Sequence, residues 1–367
     1  MNILLLNWRD IKNPKAGGAE IVTFEHEKAW AFKGHSVTWF TSGFPQSLAE
    51  EAIDGVKIIR KGTMVTVFFY AFLFYLQHRK QFDVVIDEIH GIPFFTPLYV
   101  SGPKITFIHE VAEEIWDYMY PFPINTVGKF LETFYLPLYK KIRLWTDAQS
   151  TIDDLVKFGF LRNNCFAIAC PIKNTPLTKK PVKEKNKTFI FVSRVVRMKG
   201  IEEVIKSFGF IQKEDANAKL WIVGKGEEEY IRKLKSMAGE YHIEKNVTFF
   251  GEVSEKEKLH LMSKAHLLLH ASVKEGWGLV VMEAASQWTP SVVYNVAGLK
   301  DSVKNNITGI VLEANSPSEM AKQAILLVND KKRYSRFQTN GLSWVKSLSW
   351  EKATQQSLQL LESVARL

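Results

Sequence analysis

The sequence predicts an α/β fold of two Rossmann-like, doubly wound domains. Three observations carry this expectation. The chain has 367 residues, enough for two domains with a core each. Short apolar runs alternate with helical stretches through both halves, the rhythm of parallel sheets covered by helices. Several of those runs end in glycine-containing loops that open a helix. No stretch recurs with the period of ~20–50 residues that a repeat array requires.

In chain order, Ile3–Leu6 reads as a buried strand. A polar loop to Ala16 follows, and Gly17-Gly18 opens an amphipathic helix that runs to about Lys33. Ser36–Thr41 is the second strand, and Val56–Arg60 and Asp83–Asp87 are further strands. Met64–Leu76 is apolar throughout but shorter than the ~20 residues a membrane span needs. It reads as a buried crossover helix, with an interfacial helix anchored by Arg79 and Lys80 as the competing reading. Lys104–His109 is a strand whose C-terminal His109 points into a ligand crevice, as strand ends in open parallel sheets do. Residues 115–143 are dense in aromatics and end in Lys140, Lys141 and Arg143, a composition shared by helix packing and by surfaces that meet lipid headgroups. A short capped helix begins at Thr151, and Cys165–Ala169 closes the first domain. Lys179–Lys187, polar and proline-containing, reads as the linker, placing the domains at 1–175 and 186–348.

The second half restarts the rhythm with the strand Thr188–Val192. Arg194, Arg197 and Lys199 then cluster just before the helix Ile201–Phe210. Cations at a strand-to-helix joint, beside the positive end of a helix, form an anion site. Leu220–Val223 leads into Gly224-Lys225-Gly226, and Val247–Phe250 ends at Gly251. The apolar run 266–270 precedes Glu275-Gly276-Trp277-Gly278-Leu279, and a helix from Leu279 carries Glu283 one turn inside. Free N–H groups suit phosphate, and flanking carboxylates suit hydroxyls, so this joint fits a sugar nucleotide. Ser291–Tyr294 is a strand, and the final helices start near Ser316, the last opening at Ser349-Trp350.

Hydrophobic residues make up 46% of the chain and charged residues 24%, as in soluble globular proteins. Residues 1–170 hold 17 Lys/Arg against 18 Asp/Glu, and residues 171–367 hold 31 against 21, so the net charge of +9 comes from the second half. Such a half can meet a polyphosphate ligand, an anionic membrane or nucleic acid. The cations flank Gly-rich joints and form no basic-aromatic stripe, which argues against nucleic acid. Cys165 and Cys170 have no metal-ligand spacing and read as reduced core residues of a cytoplasmic protein. The N-terminus reads as a first strand and lacks the features of a signal peptide.

The Glu275–Glu283 stretch resembles the E-x7-E motif of family 4 glycosyltransferases, retaining enzymes whose two Rossmann-like domains face across a cleft (the GT-B fold). Arg194 with Lys199-Gly200 is similar to that family's diphosphate site. Gly224-Lys225-Gly226 is similar to its Gly-x-Gly loop near the nucleotide, Gly17-Gly18 to the loop after its first strand, and His109 to its sugar-contacting His. The resemblance covers essentially the whole chain, most specifically residues 188–312. It departs at Ala271-Ser272, where Pro-Ser is usual, and at Trp288, where Gly is usual before Thr-Pro.

The resemblance implies transfer of a hexose from a UDP- or GDP-sugar to an acceptor hydroxyl, with retained configuration and with no metal or other cofactor. It gives Glu275 and His109 to the sugar and Glu283 to the ribose. Arg194, Lys199 and the N–H groups of Gly276, Trp277, Gly278 and Leu279 fall to the leaving diphosphate, which Gly17 and Gly18 close from the first, acceptor-binding domain. The last helix, 349–367, is expected to cross back to that domain. A lipid-linked or cell-surface glycan precursor at the inner membrane face is the expected acceptor. The rival readings are an epimerase or phosphorylase of the same fold and, remotely, a non-enzymatic membrane or nucleic-acid binder.

Overall fold

The computed structural model describes residues 1–365. It divides into two compact units. The first comprises Met1–Trp116, Phe122–Cys170 and the chain from Ser349 onward; the second comprises Asp117–Pro121 and Pro171–Leu348.

The first unit is built on an eight-stranded sheet. Its strands are β1 (Asn2–Leu6), β2 (Ser36–Thr41), β3 (Glu50–Ile53), β4 (Val56–Arg60), β5 (Val84–Ile89), β6 (Lys104–Ile108), β7 (Leu144–Thr146) and β8 (Cys165–Ala167), in the order β3-β4-β2-β1-β5-β6-β7-β8. All neighbours are parallel except β3 and β4, which form an antiparallel edge. Ile3–Leu6 is wholly buried because helices cover both faces, which is why it is apolar without alternation. The connecting helices are α1 (Gly18–Phe32), α2 (Val67–His78), α3 (Ile115–Met119), α4 (Ile124–Tyr135) and α5 (Gln149–Lys157).

Two expectations change here. The strands β3 and β7 are too short and too mixed in composition to show as strands in the sequence. The helix α2 buries only Val67, Ala71 and Tyr75, while Phe69 and Leu76 are exposed, so it is not a buried crossover. Its apolar residues run right round the helix, and composition alone does not say which side is covered.

The second unit holds six parallel strands, β9 (Thr188–Val192), β10 (Lys219–Val223), β11 (Val247–Gly251), β12 (Leu267–His270), β13 (Ser291–Val293) and β14 (Gly309–Val311), in the order β11-β10-β9-β12-β13-β14. This is the doubly wound order, in which the chain grows outward from β9 and then restarts at β12 on its other side. Helices α6 (Ile201–Glu214), α7 (Glu228–Glu240), α8 (Glu255–Lys264), α9 (Leu279–Ser286), α10 (Pro317–Asn329) and α11 (Lys331–Ser347) cover its faces. The segment read as a linker is part of this unit. Its Glu184 N–H donates to Lys264 O at 3.0 Å, and just ahead of it the Leu177 N–H donates to Ser286 O at 3.0 Å. The chain passes between units at Cys170–Pro171, ahead of Lys179.

The last helix, α12 (Trp350–Ala365), belongs to the first unit and packs on α1. Ser357 Oγ sits 2.9 Å from His26 Nδ1 and accepts from Trp30 Nε1 at 3.2 Å. Beneath them Trp30 and Trp145 meet edge to face at 6.0 Å, both fully buried. Leu361 and Val364 complete that layer.

Candidate active site

In a doubly wound sheet, ligands bind beyond the strand C-termini at the point where the strand order reverses. In the second unit that point lies between β9 and β12. The loops that leave these strands, residues 193–200 and 271–278, are joined by the Val273 N–H, which donates to Met198 O at 2.9 Å. Two neighbouring loops are stitched to them. Val195 N–H donates to Lys225 O at 2.7 Å, and Glu275 N–H donates to Ala297 O at 3.1 Å. Arg194, Lys199, Gly224, Gly226 and the 275–279 stretch therefore share one rim.

Two glycines are required by this stitching. Gly298 has φ +74°, and a Cβ there would lie 1.7 Å from the Glu275 carbonyl oxygen. Gly224 has φ +143°, and a Cβ there would lie 1.7 Å from the Ser193 carbonyl oxygen. Gly224 thus serves the close approach of two loops, a role distinct from contact with a ligand.

Glu275 is the most densely partnered side chain on the rim. Its Oε1 accepts from Lys199 Nζ at 2.7 Å and Ser272 Oγ at 2.6 Å, with His270 Nε2 at 3.1 Å. Burial alone would push the carboxyl up, but Lys199 and His270 outweigh it and hold it well below the usual carboxylate range. Glu275 is a fixed anion. Arg194 and Arg197, by contrast, are exposed, so their guanidinium groups meet solvent on the same loop.

Glu283 lies on α9 and takes Lys258 of α8 as its partner, with Nζ to Oε2 at 2.8 Å; Lys258 also contacts Glu255. Here burial pushes the carboxyl above its ordinary range, and Lys258 opposes only part of that rise. Between the two glutamates Gly278 forms the N-cap of α9, and no side chain caps the helix. The Leu279 N–H therefore points off the helix end without a partner four residues back, whereas the Val281 N–H turns back to Gly278 O at 2.9 Å. The α6 start at Gly200 is likewise uncapped by any side chain. Two open helix N-termini with a lysine and an arginine form an anion site. Trp277 is buried, and its indole N–H has no hydrogen-bond partner among the described residues.

In the first unit the strand order reverses between β1 and β5. The loop after β1 is held from three sides. Asp10 takes a bidentate bond from Arg60 at 2.7 and 2.8 Å. Arg9 pairs with Glu20 at 2.8 Å. The Gly17 N–H donates to Glu20 Oε2 at 2.6 Å, so the capping glutamate already occupies one donor of the Gly17-Gly18 joint. His109 stands just past the end of β6, nearly fully buried. Asp147 Oδ2 lies 2.5 Å from its Nδ1, and Glu88 Oε1 lies 3.1 Å from its Nε2. Burial lowers an imidazole pKa, but the two carboxylates reverse this and raise it well above the ordinary value. Both His109 nitrogens are engaged, and the two carboxylates favour its charged form.

The sequence reading did not single out Lys258, His270, Asp147, Glu88 or Glu20. Lys258 hides in the charge run Glu255-Lys256-Glu257-Lys258, which reads as a solvated face, and His270 ends an apolar strand. Only the tertiary fold brings them to the glutamates.

Residues 174–344 match the family model of glycosyl transferases group 1. An uncharacterized glycosyltransferase of Haemophilus influenzae is 29% identical over 87% of this chain and 89% of its own length. The N-acetyl-alpha-D-glucosaminyl L-malate synthase of Bacillus anthracis is 32% identical over 41% of this chain and 38% of its own. Among solved structures, sucrose-phosphate synthase of Thermosynechococcus elongatus superposes with a TM-score of 0.80 at 18% identity, covering 99% of this chain and 98% of that one. HepE of Anabaena, solved in complex with UDP-glucose, gives 0.75 at 15% identity, covering 99% and 100%. These relatives give no support to an epimerase or a phosphorylase. The chain carries a group 1 glycosyl transferase domain on a GT-B-type pair of Rossmann-like units, and it is a glycosyltransferase.

Proposed function

We propose that the enzyme transfers a hexose from a nucleoside diphosphate to an acceptor hydroxyl with retention of configuration, as a family 4 enzyme would. One observation carries the reading: the Lys199–Glu275 ion pair stands at the reversal point of the second sheet, beside the uncapped start of α9. The sugar's bond to the diphosphate breaks as the acceptor oxygen bonds the anomeric carbon, the departing phosphate oxygen takes the hydroxyl proton, and negative charge builds on the diphosphate. Lys199 and the N–H groups at Leu279 and Gly276 meet that charge from fixed positions, so little reorganisation is needed as the bond breaks, and the exposed Arg194 guanidinium closes on it from solvent. No dedicated protein metal site enters this scheme.

Glu275, held ionised, accepts from sugar hydroxyls, and Glu283 accepts from the ribose. Trp277, Gly278 and the Gly224–Gly226 loop shape the nucleotide side. In the first unit, His109 reaches a sugar hydroxyl only by exchanging its bond to Glu88. Gly17 and Gly18 approach the phosphates through backbone not already bonded to Glu20. A UDP-sugar is the first donor to try, since HepE, with the same fold, was solved with UDP-glucose. The acceptor proposed is a lipid-linked or cell-surface glycan precursor on the cytoplasmic side of the membrane.

The test combines binding with turnover. UDP- and GDP-sugars are screened by thermal shift, where a ligand that binds only the folded state raises the melting temperature. With the stabilising donor, Glu275→Gln is expected to lower transfer by roughly a hundredfold or more while the fold persists. Wild-type transfer is expected to survive EDTA, and the product anomer should keep the donor's configuration. Normal turnover by Glu275→Gln overturns the assignment.

A further inference from the structure

The geometry points to an anionic lipid bilayer as the partner of one face of the first unit. Val85 and Ile89, four positions apart on β5, point to the same side of the sheet. Val85 lies in the cluster beneath α2, and Ile89 in the cluster beneath Tyr135 and Tyr139 at the end of α4. Helices α2 and α4 therefore cover one and the same face.

Neither helix is apolar only where it is covered. On α2 the exposed Phe69 and Leu76 lie opposite the buried Val67–Ala71–Tyr75 stripe and point straight out. On α4, Gly128, Glu132 and Tyr135 are the buried positions. Ile124, Val127, Phe130, Leu131 and Phe134 are all exposed, Phe130 by 61% and Phe134 by 60%. At about 100° per residue these five fall within an arc of about 120°, separate from the buried positions and from the polar ones. Leu98, 67% exposed, continues the surface between the two helices. A contiguous apolar face of this kind marks an interaction site.

Its charge selects the partner. The outer segments 61–80, 91–104 and 122–141 contain seven Lys/Arg and one carboxylate, Glu132. Glu132 is buried and accepts from the N–H groups of Ala112 and Glu113 at 2.8 and 2.7 Å. The remainder of residues 1–170 holds ten cations, among them Arg143 with its guanidinium on Ser363 of α12, against seventeen carboxylates, so positive charge is concentrated in these segments. Aromatic and aliphatic side chains among cations, with the exposed acids Glu114 and Asp117 confined to the stretch just before α4, match acyl chains and anionic headgroups together. Among the described residues no helix is long and apolar enough to cross a membrane. The face therefore rests in the interface and does not span it.

The experiment uses the full chain and needs no donor or acceptor. Vesicles of phosphatidylcholine alone, and of equal parts phosphatidylcholine and phosphatidylglycerol, are floated with the protein. Binding is expected to the mixed vesicles, to weaken as salt screens the headgroups, and to be far weaker on phosphatidylcholine alone. The double variant Phe130→Ser/Phe134→Ser is expected to keep its melting temperature, because both rings are exposed, and to lose binding by roughly tenfold. Lys140→Glu/Lys141→Glu should lose it as well. Three results overturn the inference: no binding to mixed vesicles, equal binding to both lipid mixtures, or binding indifferent to Phe130→Ser/Phe134→Ser. A concentration-dependent dimer in solution that the same double variant abolishes also overturns it, because a second copy would then cover the face.

Discussion

Glu275 and Glu283, eight positions apart, are unlike as acids because each has a different neighbourhood. Glu275 has a lysine, a histidine and a serine hydroxyl on one oxygen, so it stays ionised. Glu283 has Lys258 alone and a pKa above the ordinary value. Under the proposed role for Glu283, donor binding strengthens as pH rises through its pKa. Lys258→Met removes the opposing cation, so that midpoint should move to higher pH and the donor KM should rise, with kcat changed less. A pH profile of KM checks this. An unshifted midpoint argues that Glu283 does not touch the donor. The glutamates and Lys199 were legible in the sequence because glycines at a strand-to-helix joint announce where a ligand approaches. Their charge partners were not, since Lys258 and His270 owe their place to packing between α8, β12 and α9. His109 was legible as a strand end, but its two carboxylates were not.

At the scale of elements, most strands and helices follow from apolar runs and glycine stops. The losses have physical causes. The strand β7, Leu144-Trp145-Thr146, is three residues long and is defined by its neighbours β6 and β8. The partial exposure of α2 cannot be read from a helix that is apolar all round. The return of α12 to the first unit follows the expectation drawn from the resemblance, whereas the residues that meet α1 are not legible in sequence, and their contact carries a pH signature. Burial pushes the His26 imidazole down to about 4, with Asp147 opposing. The folded pKa lies below the unfolded value of about 6.5. The stability this site contributes is therefore fully present above pH ~6.5 and is lost as pH falls toward ~4, on the order of 3 kcal/mol in all. His109 has the opposite sign. Its raised pKa adds stability below pH ~6.5 that disappears as pH rises through the folded value. Urea titrations of His26→Gln should show a shallower loss between about pH 7 and pH 4.5 than the wild type, by roughly 2–3 kcal/mol. An equal loss in both proteins refutes the buried neutral histidine.

For the whole molecule, the two-unit architecture was legible from length and from the repeated strand–loop–helix rhythm. The position of the crossing at Cys170 was not, because Lys179–Lys187 is polar yet hydrogen-bonded into the second unit. A chain ending at Leu348 should keep the unfolding transition of the second unit. The first unit should melt markedly lower, with Trp30 and Trp145 losing the cover of Ser357 and Leu361. Calorimetry with tryptophan fluorescence separates the two transitions, and an unchanged pair refutes the dependence. The return of α12 also sets an order of manufacture. The first unit is begun first and completed last, since its final helix leaves the ribosome only after Pro171–Leu348 has been made. At ~5–20 residues per second that interval is roughly ten to forty seconds. Throughout it the tryptophan-rich side of the nascent sheet lacks its cover, a standing target for chaperones while the second unit folds ahead of it.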